Sequence, residues 1–132
     1  MKKGLIIGSV ICLILITIFF AFGKSRIWAP KLDIPEDSRD FGAVKPMSVL
    51  KHSFIIKNTG NANLTLNVYP NCHRCIHTEL EKTSIPPGGA TKLHVELFPR
   101  GGGTYEAYAM LESNDPKQRV KKLTVKAMIA QQ

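Results

Sequence analysis

The chain has 132 residues, with 18 Lys and Arg against 10 Asp and Glu and a formal charge of +8, so it has room for one domain. The basic residues are scattered, no run of them exceeds two, and no nucleic-acid-binding motif accompanies them. That pattern suits an anionic membrane or an acidic partner and argues against nucleic acid.

Met1-Lys2-Lys3 is followed by an uncharged apolar run from Gly4 to Gly23. About 20 such residues span a bilayer as a helix, whereas a cleaved signal has an apolar centre of about 7–15 residues. Residues 1–23 are therefore expected to form an uncleaved signal anchor, a single transmembrane helix, with cleavage after Ala21-Phe22-Gly23 as the alternative. Cys12 lies too deep and follows Ile11, which excludes lipoprotein processing. Lys2 and Lys3 on one flank nearly balance Lys24, Arg26 and Lys31 on the other. The first-segment bias then places the rest of the chain outside, in an oxidising compartment. Removing Lys2 and Lys3 leaves sixteen basic residues against ten acidic, about +6 for the outside part. Residues 24–31 read as a basic linker in which Trp28 either settles among lipid headgroups or packs on the domain.

From residue 32 onward the apolar period is two. In "VLKHSFIIKN", Leu50, His52, Phe54 and Ile56 share one face, with Lys51, Ser53 and Lys57 on the other. In "LTLNVYP", Leu64, Leu66 and Val68 alternate with Thr65, Asn67 and Tyr69. In "TKLHVELF", Leu93, Val95 and Leu97 alternate with Lys92, His94 and Glu96. "LTVKAMI" sets Leu123, Val125, Ala127 and Ile129 against Thr124, Lys126 and Met128. Each run predicts a half-buried strand. Turn clusters separate them at Asn58-Thr59-Gly60-Asn61, Pro86-Pro87-Gly88-Gly89, Pro99 to Gly103 and Ser113-Asn114-Asp115-Pro116. Residues 32–132 are thus expected to form an all-β, antiparallel β-sandwich of about seven strands.

"DFGAV", "HSFIIKNTGNANLTL", a cysteine pair after the next strand, "IPPGGATKLHVELF" and "SNDP" occur in that order. In this the chain resembles the bacterial domain family of unknown function DUF1573, which is related to the ASPM/SPD-2/Hydin modules. The resemblance covers about residues 38–130 and implies an exported immunoglobulin-like sandwich with no established enzymatic activity. It also implies that Tyr105, Ala107, Ala109 and Leu111 face inward and that Tyr108 and Met110 face outward. Where the family commonly has Cys-Gly-Cys, this chain has Cys72-His73-Arg74-Cys75.

That cysteine pair admits several chemistries. Covalent haem needs histidine directly after the second cysteine, and Ile76 stands there. A thioredoxin-like dithiol needs a helix N-terminus to stabilise a thiolate, and "IHTEL" reads as an extended segment. Cys72, Cys75 and His77 can supply three metal ligands, with His73 or His52 as a fourth, although structural zinc usually has a second, separated ligand pair. The preferred reading is a local disulfide, Cys72–Cys75, that staples a turn. His52 is expected at the core edge, hydrogen-bonded to backbone, and His94 in solvent.

The carboxylates are dispersed, no motif fixes a nucleophile beside a base, and the glycine-rich "PRGGGTY" opens no helix, so no phosphate cradle forms there. No enzymatic role, cofactor, resident metal or small-molecule substrate is expected. What remains is a surface: Tyr108, Met110 and Met128, outward on neighbouring strands, form the candidate protein-binding patch. The expectation is a non-catalytic protein-binding or accessory, stabilising subunit of a larger membrane complex, for example respiratory or photosynthetic. It would be a single-pass protein of the bacterial inner membrane, with its domain on the periplasmic side and another membrane or periplasmic protein as partner. A metal- or thiol-handling protein using Cys72, Cys75 and His77 is the alternative.

Overall fold

The computed structural model of the protein describes residues 27–130. The membrane helix expected over residues 1–23 lies outside them. Among the described residues no helix is long and apolar enough to cross a membrane. In chain order the strands are β1 (Leu32–Asp33), β2 (Ser38–Val44), β3 (Leu50–Asn58), β4 (Leu64–Pro70), β5 (Ile76–Leu80), β6 (Ser84–Ile85), β7 (Ala90–Leu97), β8 (Gly103–Ser113) and β9 (Val120–Ile129). Of these nine, β1 and β6 have two residues each, so seven strands carry the sandwich, in agreement with the periodicity.

One sheet has the order β1-β3-β7-β5 and the other β2-β9-β8-β4-β6. Alternation along each strand becomes burial because one face of each sheet must be covered by the other. Phe54 and Ile56 on β3, with Leu93, Val95 and Leu97 on β7, meet Leu64, Leu66, Leu111, Leu123 and Val125 from the opposite sheet. All of these are at most 2% exposed, and each buried side chain of this size contributes about 1.5–3 kcal/mol. Ala107, Ala109 and Leu111 are buried and Tyr105 packs on the core edge. The inward face of β8 is therefore the one the family resemblance implied.

The expectation of a wholly antiparallel sandwich needs one correction: β2 pairs parallel to β9. The leading chain is split between the sheets. Leu32 and Asp33 pair antiparallel with β3 in one sheet, and after Pro35 the chain crosses to the edge of the other. A strand arriving there without a hairpin runs alongside β9. "DFGAV" is the irregular part of that edge: the register shifts between Asp40 and Ala43, Gly42 has φ of 66°, and its N–H donates to Asp40 Oδ1 at 2.8 Å. A side chain is strained at such a φ, which is why glycine suits the bulge.

Candidate functional site

The turn motifs gather at one end of the sandwich, around the incoming N-terminal segment. Asn58, the last residue of β3, is buried (1% exposed). Its Oδ1 accepts from the N–H groups of Lys31 at 3.3 Å and Gly60 at 3.0 Å, and its Nδ2 donates to Ala62 O at 2.8 Å and Ile85 O at 2.9 Å. Asn61 Oδ1 accepts from Ala29 N at 2.8 Å, while Asn61 N donates to Ala29 O at 3.1 Å. From the "SNDP" turn, buried Asp115 accepts from Leu32 N and from Lys117 N, each at 2.8 Å. Burial alone would raise the Asp115 pKa, but backbone N–H donors from Leu32, Lys117 and Gln118 outweigh it and hold the carboxyl below its ordinary 3.8. The "PPGG" turn joins through Gly88 N to Asn58 O at 2.9 Å and Asn58 N to Gly89 O at 3.0 Å.

Gly60 completes this clamp by leaving room. A Cβ there would stand 2.5 Å from Lys31 N and 2.7 Å from Pro30 C, and would also strike Ala29 O. The chain is therefore bonded to the sandwich from Ala29 onward, within the stretch read from sequence as linker. Held at this end are Ile27 and Trp28, 81% and 74% exposed, so of its two expected placements Trp28 does not take the packed one. Ile27, Pro30, Asn61, Pro116 and Lys117 border a shallow cavity of about 670 Å³.

Near the opposite end lies the cysteine turn, and Cys72 and Cys75 are joined there by a disulfide with Cα atoms 5.3 Å apart. The turn carries the chain from one sheet to the other. Asn71 N donates to Tyr108 O at 2.9 Å and Asn71 Oδ1 accepts from Tyr108 N at 2.9 Å, while Cys75 O accepts from Phe98 N at 2.8 Å. With both sulfurs bonded to each other, neither is a thiolate ligand. His73 and Arg74 are exposed, and His77 stands on the outer face opposite Glu96 in the β5–β7 pair. The Lys51 ammonium, 2.6 Å from Glu96, holds that carboxyl below its usual range, and His77 adds to the effect. Among the described residues no group of three or more His, Cys, Asp or Glu is placed to hold a metal ion.

His52 and His94 differ from expectation. His52 is half-buried between the rings of Phe41 and Phe54, and its Nε2 is 3.4 Å from Glu36 Oε2 without hydrogen-bond alignment. It has an aromatic and a carboxylate neighbour where a backbone partner was expected. His94 is only partly in solvent. Its Nδ1 is 2.8 Å from Ser53 Oγ and its Nε2 2.9 Å from Glu81 Oε1. A serine, a histidine and a carboxylate in line invite comparison with a nucleophilic triad. Here they lie flat on the open outer face of the sheet, Ser53 on β3, His94 on β7 and Glu81 just past the end of β5, where both contacts are exposed. A nucleophilic triad works in a water-excluded site, which this exposed surface is not. Sequence reasoning missed this trio because its members are far apart in the chain. The direct pairing Ser53↔His94 follows only once β3 and β7 are in register.

On the other outer face the register divides the candidate patch. Met110 lies between Tyr69 on β4 and Lys122 on β9. Tyr108 is its neighbour two residues along, with Lys122 Nζ 4.3 Å from the ring centroid. Tyr69 is 51% exposed and was not among the sequence candidates, although its alternation already pointed outward. Met128 instead pairs with Thr104 and Ala43. Between it and Tyr108 runs a charged row, Glu106–Lys126–Asp40, with Lys126 Nζ 3.2 Å from Glu106. The structure thus brings Tyr108 and Met110 together, adds Tyr69 and sets Met128 apart.

Residues 30–128 match the family described as HYDIN/CFA65/VesB-like, Ig-like domain. No curated protein matches the chain. Among solved structures, a protein of unknown function from Porphyromonas gingivalis W83 is similar at 22% identity and a TM-score of 0.69, over 80% of this chain and 50% of that one. The ASH/PapD-like domain 7 of human CEP192 is similar at 13% identity and a TM-score of 0.62, over 83% and 92%. The VesB protease of Vibrio cholerae is similar at 12% identity and a TM-score of 0.57, over 86% and 35%. The chain therefore spans half the length of the Porphyromonas protein and about a third of the protease. At these identities the likeness is one of fold.

Proposed function

The chain belongs to the HYDIN/CFA65/VesB-like, Ig-like domain family, and from that premise we propose that it is a membrane-anchored, extracytoplasmic, non-catalytic module that binds or braces another membrane or periplasmic protein. The order of "DFGAV", "NTGN", "PPGG" and "SNDP" supports placing it more narrowly with the exported bacterial DUF1573 group. The observation that carries the reading is the clamp. Bonds from Asn58, Asn61 and Asp115 begin at Ala29, six residues after an apolar run long enough to span a bilayer. So short a connection holds the sandwich close to the bilayer and presents its outer faces sideways to a neighbour. The side offering aromatic and thioether surface is Tyr69, Tyr108 and Met110, with Lys122 at the rim.

The test is affinity capture of the full chain, crosslinked in native membranes and solubilised in detergent. Wild type should recover a partner that Tyr108→Ser with Met110→Lys loses, while Met128→Ser retains it. Equal recovery by all three would remove this face as the interface. External protease applied to spheroplasts should reach the domain; protection of the domain would overturn the orientation.

A further inference from the structure

We infer that the clamped end of the sandwich is a bilayer-docking face, taking anionic lipid headgroups on Lys31, Lys117 and Arg119 while Ile27 and Trp28 enter the interfacial layer. The inference rests on the proposed membrane anchoring and adds to it a pose and a lipid class. Ile27, Lys31 and Lys117 border one cavity, and Arg119 belongs to the same β8–β9 turn as Lys117. None of the three basic side chains forms an ion pair among the described residues. Lys51, Lys121 and Lys126 pair with Glu96, Asp37 and Glu106. Among the described residues other cations such as Lys45, Lys82 and Lys92 are unpaired too, so it is the gathering of three beside exposed apolar groups that sets this end apart. Of the acidic groups nearby, Asp115 is buried and occupied by backbone N–H donors, Asp33 lies opposite Lys57 in the β1–β3 pair, and exposed Glu112, across from Val120, leaves the three cations in excess. The end is therefore basic, and the sequence just before it adds Lys24 and Arg26.

Charge alone would suit any polyanion; the apolar groups select among them. Ile27 and Trp28 are the two most exposed large apolar residues after Met47, and they immediately precede Ala29, the first clamped residue, beside Lys31 and Lys117. Tryptophan with an exposed aliphatic neighbour, ringed by lysine and arginine, is the composition that partitions to a headgroup layer. Its position six residues or fewer from the apolar run brings this end to the surface before any other. The clamp also removes part of the entropic cost of docking, because the backbone that carries Lys31 is already held by Asn58, Asn61 and Asp115.

The experiment uses the full chain with Cys12→Ser, reconstituted in nanodiscs of phosphatidylcholine with or without phosphatidylglycerol. An environment-sensitive probe is attached at Thr59→Cys, at the clamped end, or at Met47→Cys, in the β2–β3 turn at the far end. Brominated lipid should quench the probe at position 59 in phosphatidylglycerol discs and leave the probe at 47 unaffected. High salt should reverse the quenching. Charge reversal by Lys117→Glu with Arg119→Glu should lower the docked-to-undocked ratio at least about fivefold, since one basic side chain at an anionic surface is worth about that factor. Trp28, the sole tryptophan, gives a second readout through its own quenching. A chain removed from membranes by alkaline carbonate would overturn the anchoring itself. An anchored chain whose probe at 59 stays in water in both lipids would overturn the docking alone. So would a probe shielded in native membranes but not in nanodiscs, because a protein would then own the surface.

Discussion

The two ends of the sandwich are tied by different chemistry and at different range. Near one end a covalent bond joins Cys72 to Cys75, three residues apart. At the other, hydrogen bonds from Asn58, Asn61 and Asp115 join residues 27 to 83 apart in sequence. A cross-link constrains the unfolded chain more the longer the loop it closes, with an entropy that grows as the logarithm of that length. The disulfide therefore sharpens one turn. The weaker bonds at the clamp, being long-range and buried or part-buried, fix where the N-terminal segment, the β3–β4 turn and the β8–β9 turn sit relative to one another.

The largest loss should come from breaking the clamp at its centre. Asn58→Ala leaves two backbone N–H groups and two carbonyls without their side-chain partner in a buried place, and should cost roughly 3–4 kcal/mol in urea unfolding. Gly60→Ala should follow at roughly 2–3 kcal/mol. The added methyl meets backbone atoms of Ala29, Pro30 and Lys31, which no rotamer change relieves. Cys72→Ser with Cys75→Ser should cost less, about 2 kcal/mol for so short a loop, and should leave the amides of residues 29–32 unaffected. Stoichiometric zinc or copper bound by the reduced protein and lost in the double variant would restore a metal role to the pair.

Acid should also separate the two ends. Asp115 has its folded pKa below the ordinary 3.8, so its contribution is present above the unfolded value and lost as pH falls through the folded one. The stability gap between wild type and Asp115→Asn should be constant from neutral pH down to about 3.8 and close below it. The gap for the cysteine variant should be independent of pH across that window. Smallest of all, Tyr108→Ser with Met110→Lys should change unfolding by less than about 0.5 kcal/mol, while costing about 2 kcal/mol or more of partner affinity if either is a hot spot. Such a contrast would assign the outer face of β8 to protein binding, and Asn58, Gly60 and the cysteine pair to architecture.

How much of this the sequence exposes depends on whether a feature is periodic. The alternation along β3, β4, β7 and β9 and the turn clusters are local patterns, and Phe54, Ile56, Leu93, Val95, Leu123 and Val125 reappear as buried residues, whereas the inward face of β8 came from the family resemblance. Hydrogen bonding by a side chain leaves no such trace. "NTGN" and "SNDP" read as turns, and nothing local says that Asn58 and Asp115 reach across to residues 31 and 32. The parallel β2–β9 pair is hidden because direction is set by where the chain crosses between sheets. The binding patch was half legible. The family resemblance picked Tyr108 and Met110 and outward phase picked Met128, but only strand register shows that Tyr69 is a neighbour of the first two and that Glu106 and Lys126 stand between them and Met128.

The central claim, that this end grips the segment leading from the apolar run, is tested most directly by amide hydrogen exchange on the full chain. The Ala29, Lys31 and Leu32 amides, bonded to Asn61, Asn58 and Asp115, should exchange as slowly as neighbouring strand amides. Asp115→Asn should accelerate Leu32 selectively and leave Ile76, at the cysteine turn, unchanged. Exchange of all three amides at the rate of free chain in the wild type would contradict the clamp, and with it the observation that carries the proposed function.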